Sequence, residues 1–377
     1  MSIPLSVPNL SGNELKYVTE CLNSEWVSSE GTYVEKFSDA VKDYTKAKYA
    51  VPCVNGTSAL QTCLRLINLM PGEEVLMPTL TFIAPVNAVR YFYGEPVFFD
   101  CDDFFNIDIN QLYDFLKKNT SYKNGKLKNN ITNKTIRAII PVNIFGNSLD
   151  IDSLLEISQK FDIPIIEDAS EAIGTSYEKD RHAGTVGLMG CLSFNGNKMI
   201  TSGGGGMILT NDKSLGEKAS YLTRQAKDNK IFYVHNEVGY NFRLTNVAAA
   251  IGLAQFEQID KFLKIKEKNF KIYKEKLKSK NHIEIVSPPK YGKSNHWFYA
   301  IKISKDYHRD VPNIISYLDN NGVQARPIWR LNHTQKPYKD CFHVDLSNAN
   351  HLYDRIFNVP CSTNLKEESI NIVCDLL

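Results

Sequence analysis

Two runs of almost unbroken apolar chain, "TIRAIIPVNIFG" from Thr135 and "IPIIEDAS" from Ile163, limit what this chain can become. Strands that face water on one side alternate apolar and polar residues. Strands buried on both faces do not, and that burial is typical of parallel sheets covered by helices. The helical pattern "SLLEISQKFD" lies between the two runs, as a parallel crossover requires. The chain therefore reads as α/β with a mostly parallel sheet.

The same logic extends in both directions. "GNELKYVTECLNS" and "GTYVEKFSDAVKDYTK" have helical spacing, the second with Val34, Phe37, Val41 and Tyr44 on one stripe. "YAVPCV", the turn "NGTS" and "SALQTCLRLINL" read as strand, turn and helix. "EEVLMP", "PVFFD", "CLSFN" and "GGMILTN" are further strands, and "APVNAVRYFYG" is a helix. One long amphipathic helix is expected from Asn246 to about Leu277, followed by "WFYAIKI" (a strand) and "VPNIISYLDNNG" (a helix). With 377 residues the chain suits two domains, a large one over 1–245 and a smaller C-terminal α/β domain over 246–377, joined by that helix. The lysine- and asparagine-rich "KKNTSYKNGKLKNNITNKT" reads as a solvated surface insertion.

Charge and cysteine usage narrow the function. A net charge of +2 gives no field that favours nucleic acid or an acidic membrane surface. The 8 cysteines are scattered with no C-x-x-C pair, so no disulfide framework or metal site is expected and a reducing cytoplasm fits. The N-terminus has neither a basic nor an apolar signal region, and "VLMPTLTFIAPVNAV" is too short and too interrupted to span a bilayer.

"SFNGNKMITSGGGGMI" sets Lys198 shortly before four consecutive glycines. A P-loop has its glycines before the lysine and a helix after it; here the order is reversed and a strand follows. A Rossmann fingerprint needs a strand–helix turn, which is also missing. A surface lysine beside a flexible hairpin is one reading. The other is a desolvated lysine whose amine is a nucleophile toward a cofactor. Thirty residues earlier, Glu167-Asp168 end an apolar strand at the sheet edge where open α/β folds bind ligands. Asp168 is either a helix cap or the carboxylate that a pyridoxal phosphate (PLP) ring nitrogen requires. Gly56, Thr57 and Ser58 sit at a strand-to-helix turn, where free N–H groups favour phosphate. Phe82 either stacks on a planar ring or packs in the core.

Taken in order, "NGTSAL", "PTLTFIAPVNAV", "EDASEAIG", "SFNGNK" with "GGGGMI", and "GYNFRLTNVAAAIGLAQ" resemble the DegT/DnrJ/EryC1/StrS sugar aminotransferases, which are fold type I PLP enzymes. The resemblance runs from "SEWVSSEGTYVEKF" to "ARPIWRLNH". It implies that Lys198 carries PLP as a Schiff base and that Asp168 pairs with the ring nitrogen. It implies a phosphate site of Gly56, Thr57, Ser58 and Ser193, with Phe82 on the ring. Asn241 would reach the phosphate of a second subunit, so a homodimer with shared sites is implied. Arg326 and His333 fall in the family's substrate-facing stretch, and Trp26, Trp329 and Arg330 are further pocket candidates.

Glu171 stands where many members have glutamine or histidine, three residues after the aspartate. With "NGNK" and "TSGGGGM" it resembles the branch of GDP-perosamine synthases and legionaminic-acid-pathway aminotransferases, the latter more closely. Glu171 would lie beside a phenolate-like ring oxygen and hold its proton more tightly than usual; otherwise it is a surface helix glutamate. The implied reaction moves an amino group from glutamate to C4 of a UDP- or GDP-linked 4-keto-6-deoxy sugar, a 2-acetamido sugar for a bacterial surface glycan. The alternatives are C3 amination of a 3-keto sugar and a non-catalytic regulator of the same fold. Sister dehydratases replace the lysine with histidine; this chain keeps Lys198.

Overall fold

The computed structural model describes residues 2–229 and 231–377. Among them, seven strands join in the order Tyr49–Cys53, Gly206–Thr210, Met189–Ser193, Ile166–Asp168, Ile136–Ile139, Glu74–Pro78 and Glu95–Phe99. Only Gly206–Thr210 runs antiparallel to its neighbours. The two apolar runs lie side by side mid-sheet, joined by the bridges Ile139–Ile165 and Val142–Asp168. Their unbroken apolar character has a direct cause. Ala138, Ile140 and Ile166 enter the core on one face of the sheet, while Ile139 and Ile165 enter the core on the other. Each such buried isoleucine side chain contributes about 1.5–3 kcal/mol.

The C-terminal part builds an antiparallel sheet in the order Ile283–Ile285, Tyr299–Ile303, Ile356–Val359 and Arg326–Pro327. We propose that the chain divides into units of 1–245 and 246–377, and among the contacts that cross that line two involve the N-terminal segment and first helices. Ile3 bridges Val323, and its carbonyl accepts from the Gln324 N–H at 2.9 Å. The helix Asn246–Phe256 packs on the helices Glu14–Asn23 and Thr32–Thr45. The second packing needs glycine, because a Cβ on Gly252 would stand 2.7 Å from the Phe37 ring.

Two expectations are corrected. The single helix from Asn246 to Leu277 is two helices, Asn246–Phe256 and Ile259–Leu277. At the break the side chains are recruited by the N-terminal segment: Glu257 accepts from Tyr17 Oη at 2.6 Å and Asn13 Nδ2 at 2.8 Å. The lysine-rich insertion is likewise not all solvated. It folds into a hairpin, Thr120–Lys123 with Lys126–Asn129. Its two turn residues, Asn124 and Gly125, both have positive φ, the signature of a tight hairpin turn. Leu127 is buried, and Asn129 Nδ2 donates to Glu74 Oε2 at 3.0 Å.

Candidate active site

The cleft forms where the central strands end. Asp168 closes its strand with 3% exposure, and its Oδ1 accepts from the Ser170 N–H at 3.1 Å. Asn55 caps the helix Gly56–Leu66 by accepting from the Ser58 N–H at 2.7 Å. The first-turn N–H groups of Gly56 and Thr57 have no intrahelical acceptor and point the positive helix end into the cleft. Ser193, at the end of Met189–Ser193, and Ser170 close this cradle. A Cβ on Gly56 would stand 3.0 Å from Ser193 Cβ and 3.3 Å from each of the two hydroxyl oxygens.

Lys198 follows in the loop after Ser193. Its Nζ stands 3.6 Å from Glu171 Oε1 and 3.9 Å from the centroid of the Trp297 ring. Glu171 Oε2 also accepts from the Phe145 N–H at 2.7 Å. Glu171 is 4% exposed, so it is not a surface helix glutamate. Burial pushes its carboxyl up to about 7, with the nearby Lys198 charge pulling the other way. Burial likewise lowers the Lys198 ammonium, partly offset by Glu171 and Asp168, and raises the Asp168 carboxyl.

The glycine run has two parts. Gly204 and Gly205 line the cleft. At Gly206 a Cβ would stand 2.4 Å from the Asn55 carbonyl carbon. The absence of a side chain there lets the antiparallel strand lie directly against the Asn55–Gly56 turn. This close approach brings the helix N-terminus beside Ser193.

Asp168, Glu171, Ser193, Lys198, Gly56 and Thr57 share one cleft of about 260 Å³, with Phe82 and Trp329 also in its wall. Phe82 is 51% exposed, and the Trp329 ring meets it edge-on at 5.3 Å. Other candidates are not in the lining. The Ser58 N–H is taken by Asn55. Trp26 is exposed between the first two helices, where its carbonyl accepts from Asn246 Nδ2. Arg326 and Arg330 are exposed, and the His333 Nδ1 pairs with Thr79 Oγ1 at 2.8 Å. Asn241 is exposed and bridges Arg224.

Two residues that the sequence reading missed hold the site from the C-terminal side. Trp297 faces Lys198, and Asn295 Nδ2 donates to the carbonyls of Glu171 at 2.8 Å and Ile173 at 2.9 Å. Gly146, at φ +81°, makes room for it: a Cβ there would fall 1.7 Å from Asn295 Oδ1. In sequence, Trp297 only opened an apolar run read as a strand.

The pattern of the DegT/DnrJ/EryC1/StrS aminotransferase family matches residues 8–377. The chain belongs to that family. A GDP-perosamine synthase of Caulobacter vibrioides is 35% identical, covering 98% of this chain and 96% of the relative. Helicobacter pylori PseC, an aminotransferase of pseudoaminic acid biosynthesis, superposes with a TM-score of 0.90 at 24% identity over 100% of this chain and 98% of its own. A Streptococcus pneumoniae protein solved in its PLP form has a TM-score of 0.87 at 20% identity, covering 100% and 97%. This family member is a PLP-dependent aminotransferase of fold type I. The cleft fits the cofactor: an anion cradle that a single Cβ would fill at one end, a buried carboxylate for a ring N–H, and an amine opposite. Among the described residues, no helix is long and apolar enough to cross a membrane.

Proposed function

We propose that this aminotransferase moves an amino group from glutamate to C4 of a nucleotide-linked 4-keto-6-deoxy sugar during surface-glycan synthesis in the cytoplasm. The observation that carries the reading is the meeting of Lys198, Asp168 and the Gly56–Ser193 cradle in one cleft. The choice of sugar is supported by the GDP-perosamine synthase, matched over nearly the full length of both chains.

In this reading the N–H groups of Gly56 and Thr57, with the Ser170 and Ser193 hydroxyls, hold the PLP phosphate. Asp168 keeps the ring nitrogen protonated, and burial in a water-poor site strengthens that pairing. Phe82 offers the ring an aromatic face, and Glu171 lies at the lysine side. PLP, when bound, supplies an electron sink for the bond that loses its proton. Lys198 Nζ takes the proton from the donor's Cα in the first half-reaction and returns one to the sugar carbon in the second. The two half-reactions share one site, so ping-pong kinetics are expected.

A second copy of the chain would complete the site through Asn241. The neighbouring Ile231, Phe232 and Tyr233 are exposed large apolar side chains, which supports an interface there.

The test uses purified protein with PLP, glutamate and UDP- or GDP-linked 4-keto-6-deoxy sugars, with the aminated carbon assigned by NMR. Amination at C4 is the expected result. Amination at C3, or none with either nucleotide, would overturn the substrate assignment.

A further inference from the structure

Trp297 is 1% exposed and fixed on every side. Its indole N–H donates to the Asn197 carbonyl at 2.7 Å, next in chain to Lys198. Its backbone N–H donates to Asn295 Oδ1 at 2.9 Å, and its carbonyl accepts from Lys266 Nζ at 2.6 Å. Its ring stacks on Phe298 with centroids 4.1 Å apart. Lys266 is itself buried and finds no carboxylate, only the carbonyls of Trp297 and Cys361. The backbone bonds fix where the side chain starts, the indole N–H bond and the Phe298 stack orient the ring, and its face meets Lys198 Nζ at 3.9 Å.

An aromatic face attracts an ammonium through its quadrupole, more strongly where water is scarce. Glu171 stands 3.6 Å from the same Nζ and Asp168 also acts on it, while the Lys266 ammonium is bonded to the Trp297 main-chain carbonyl. Of these partners the indole alone cannot gain or lose a proton in the working range. We infer that Trp297 holds the Lys198 ammonium whenever that amine is free of cofactor, and with Glu171 sets the pH at which Lys198 becomes a proton acceptor. This rests on the reading of Lys198 as the base. In that step the Cα–H bond of the donor breaks, its electron pair stays on the substrate side, and a new N–H bond forms at Nζ. The ammonium so formed is the species the indole face receives.

The experiment follows the first half-reaction, glutamate with the yellow holoenzyme, in single turnover across pH. W297L and W297M remove the aromatic face, and W297F keeps it. For W297L and W297M the acid limb of the rate profile should move down by roughly half to one pH unit, since the ammonium has lost its support. W297F should keep the limb near the wild-type pH, although it loses the Asn197 bond. Bound PLP and thermal midpoint are measured alongside, because loss of packing would lower both without moving the limb. A limb that stays at the wild-type pH in both W297L and W297M overturns the inference. Borohydride reduction of the wild type separates the underlying reading: if no cofactor is fixed to Lys198, the reading of the site falls, and this inference with it.

Discussion

Lys198 Nζ lies 3.6 Å from Glu171 Oε1 in a cleft where the carboxylate is buried and the lysine side chain is only 13% exposed. Such a pair is costly to bury and is weak evidence for stability. Its worth here is chemical. Burial has raised the carboxyl and lowered the ammonium, which narrows the gap between the two groups in the direction that repeated proton transfer would favour.

Lys198→Ala should cut the glutamate half-reaction by roughly 10³-fold or more, because covalent attachment and proton transfer are lost together. Lys198→Arg should fare no better, since a guanidinium keeps its charge. Cofactor colour and single-turnover rates would show this. Either variant transaminating at the wild-type rate would remove Lys198 from the chemistry.

Glu171 should make the cofactor-free protein lose stability as pH rises. Its folded value, about 7, exceeds its ordinary 4.5. The folded state therefore binds the extra proton, and that contribution is full below 4.5 and lost as pH climbs through 7. Glu171→Gln should lack the loss, a difference of up to about 3 kcal/mol across that window. Denaturant midpoints of both proteins at pH 5, 6 and 7 would test it, and parallel profiles would contradict it.

His182 should act in the opposite sense. Its Nε2 accepts from the Gly174 N–H at 2.9 Å, so its Nδ1, 2.7 Å from the Ala183 carbonyl, carries the proton. Both nitrogens are thus committed to the neutral ring, and burial lowers its folded value to about 4. Below the ordinary 6.5 the unfolded chain takes up protons that the native ring refuses, so stability falls as pH drops from 6.5 through 4. Replacement by Gln should flatten that acid limb by up to about 3 kcal/mol. His296, also lowered to about 4 by burial, adds to the same limb and would be replaced in a second variant.

Gly206→Ala should weaken PLP binding far more than Gly204→Ala. At Gly206 the new methyl meets the Asn55–Gly56 backbone at 2.4–2.6 Å, so the strand or the cradle must move, at a cost on the order of 1–3 kcal/mol. At Gly204 the nearest atom is 3.8 Å away. Equilibrium dialysis against PLP should show reduced affinity for the first variant and near-native affinity for the second.

Local pattern was enough to determine the sheet, and it singled out the residues that meet in the cleft without assigning their roles. Unbroken apolar runs reported strands buried on both faces, because their residues alternate between two cores. Asp168 was legible because it ends an apolar strand at the sheet edge and the Gly56 turn because it joins a strand to a helix, whereas Lys198 lies in the loop after Ser193 and stood out only by the glycines that follow it. Tertiary structure decided what touches them. Trp297 and Asn295 come from about a hundred residues away along the chain, and no periodicity in sequence encodes a contact across that distance. The same packing broke the long helix at Glu257, folded the lysine-rich segment around Leu127, and left Trp26, Arg326 and His333 outside the cleft. Local pattern specifies which face of an element is buried; only the assembled core specifies against what.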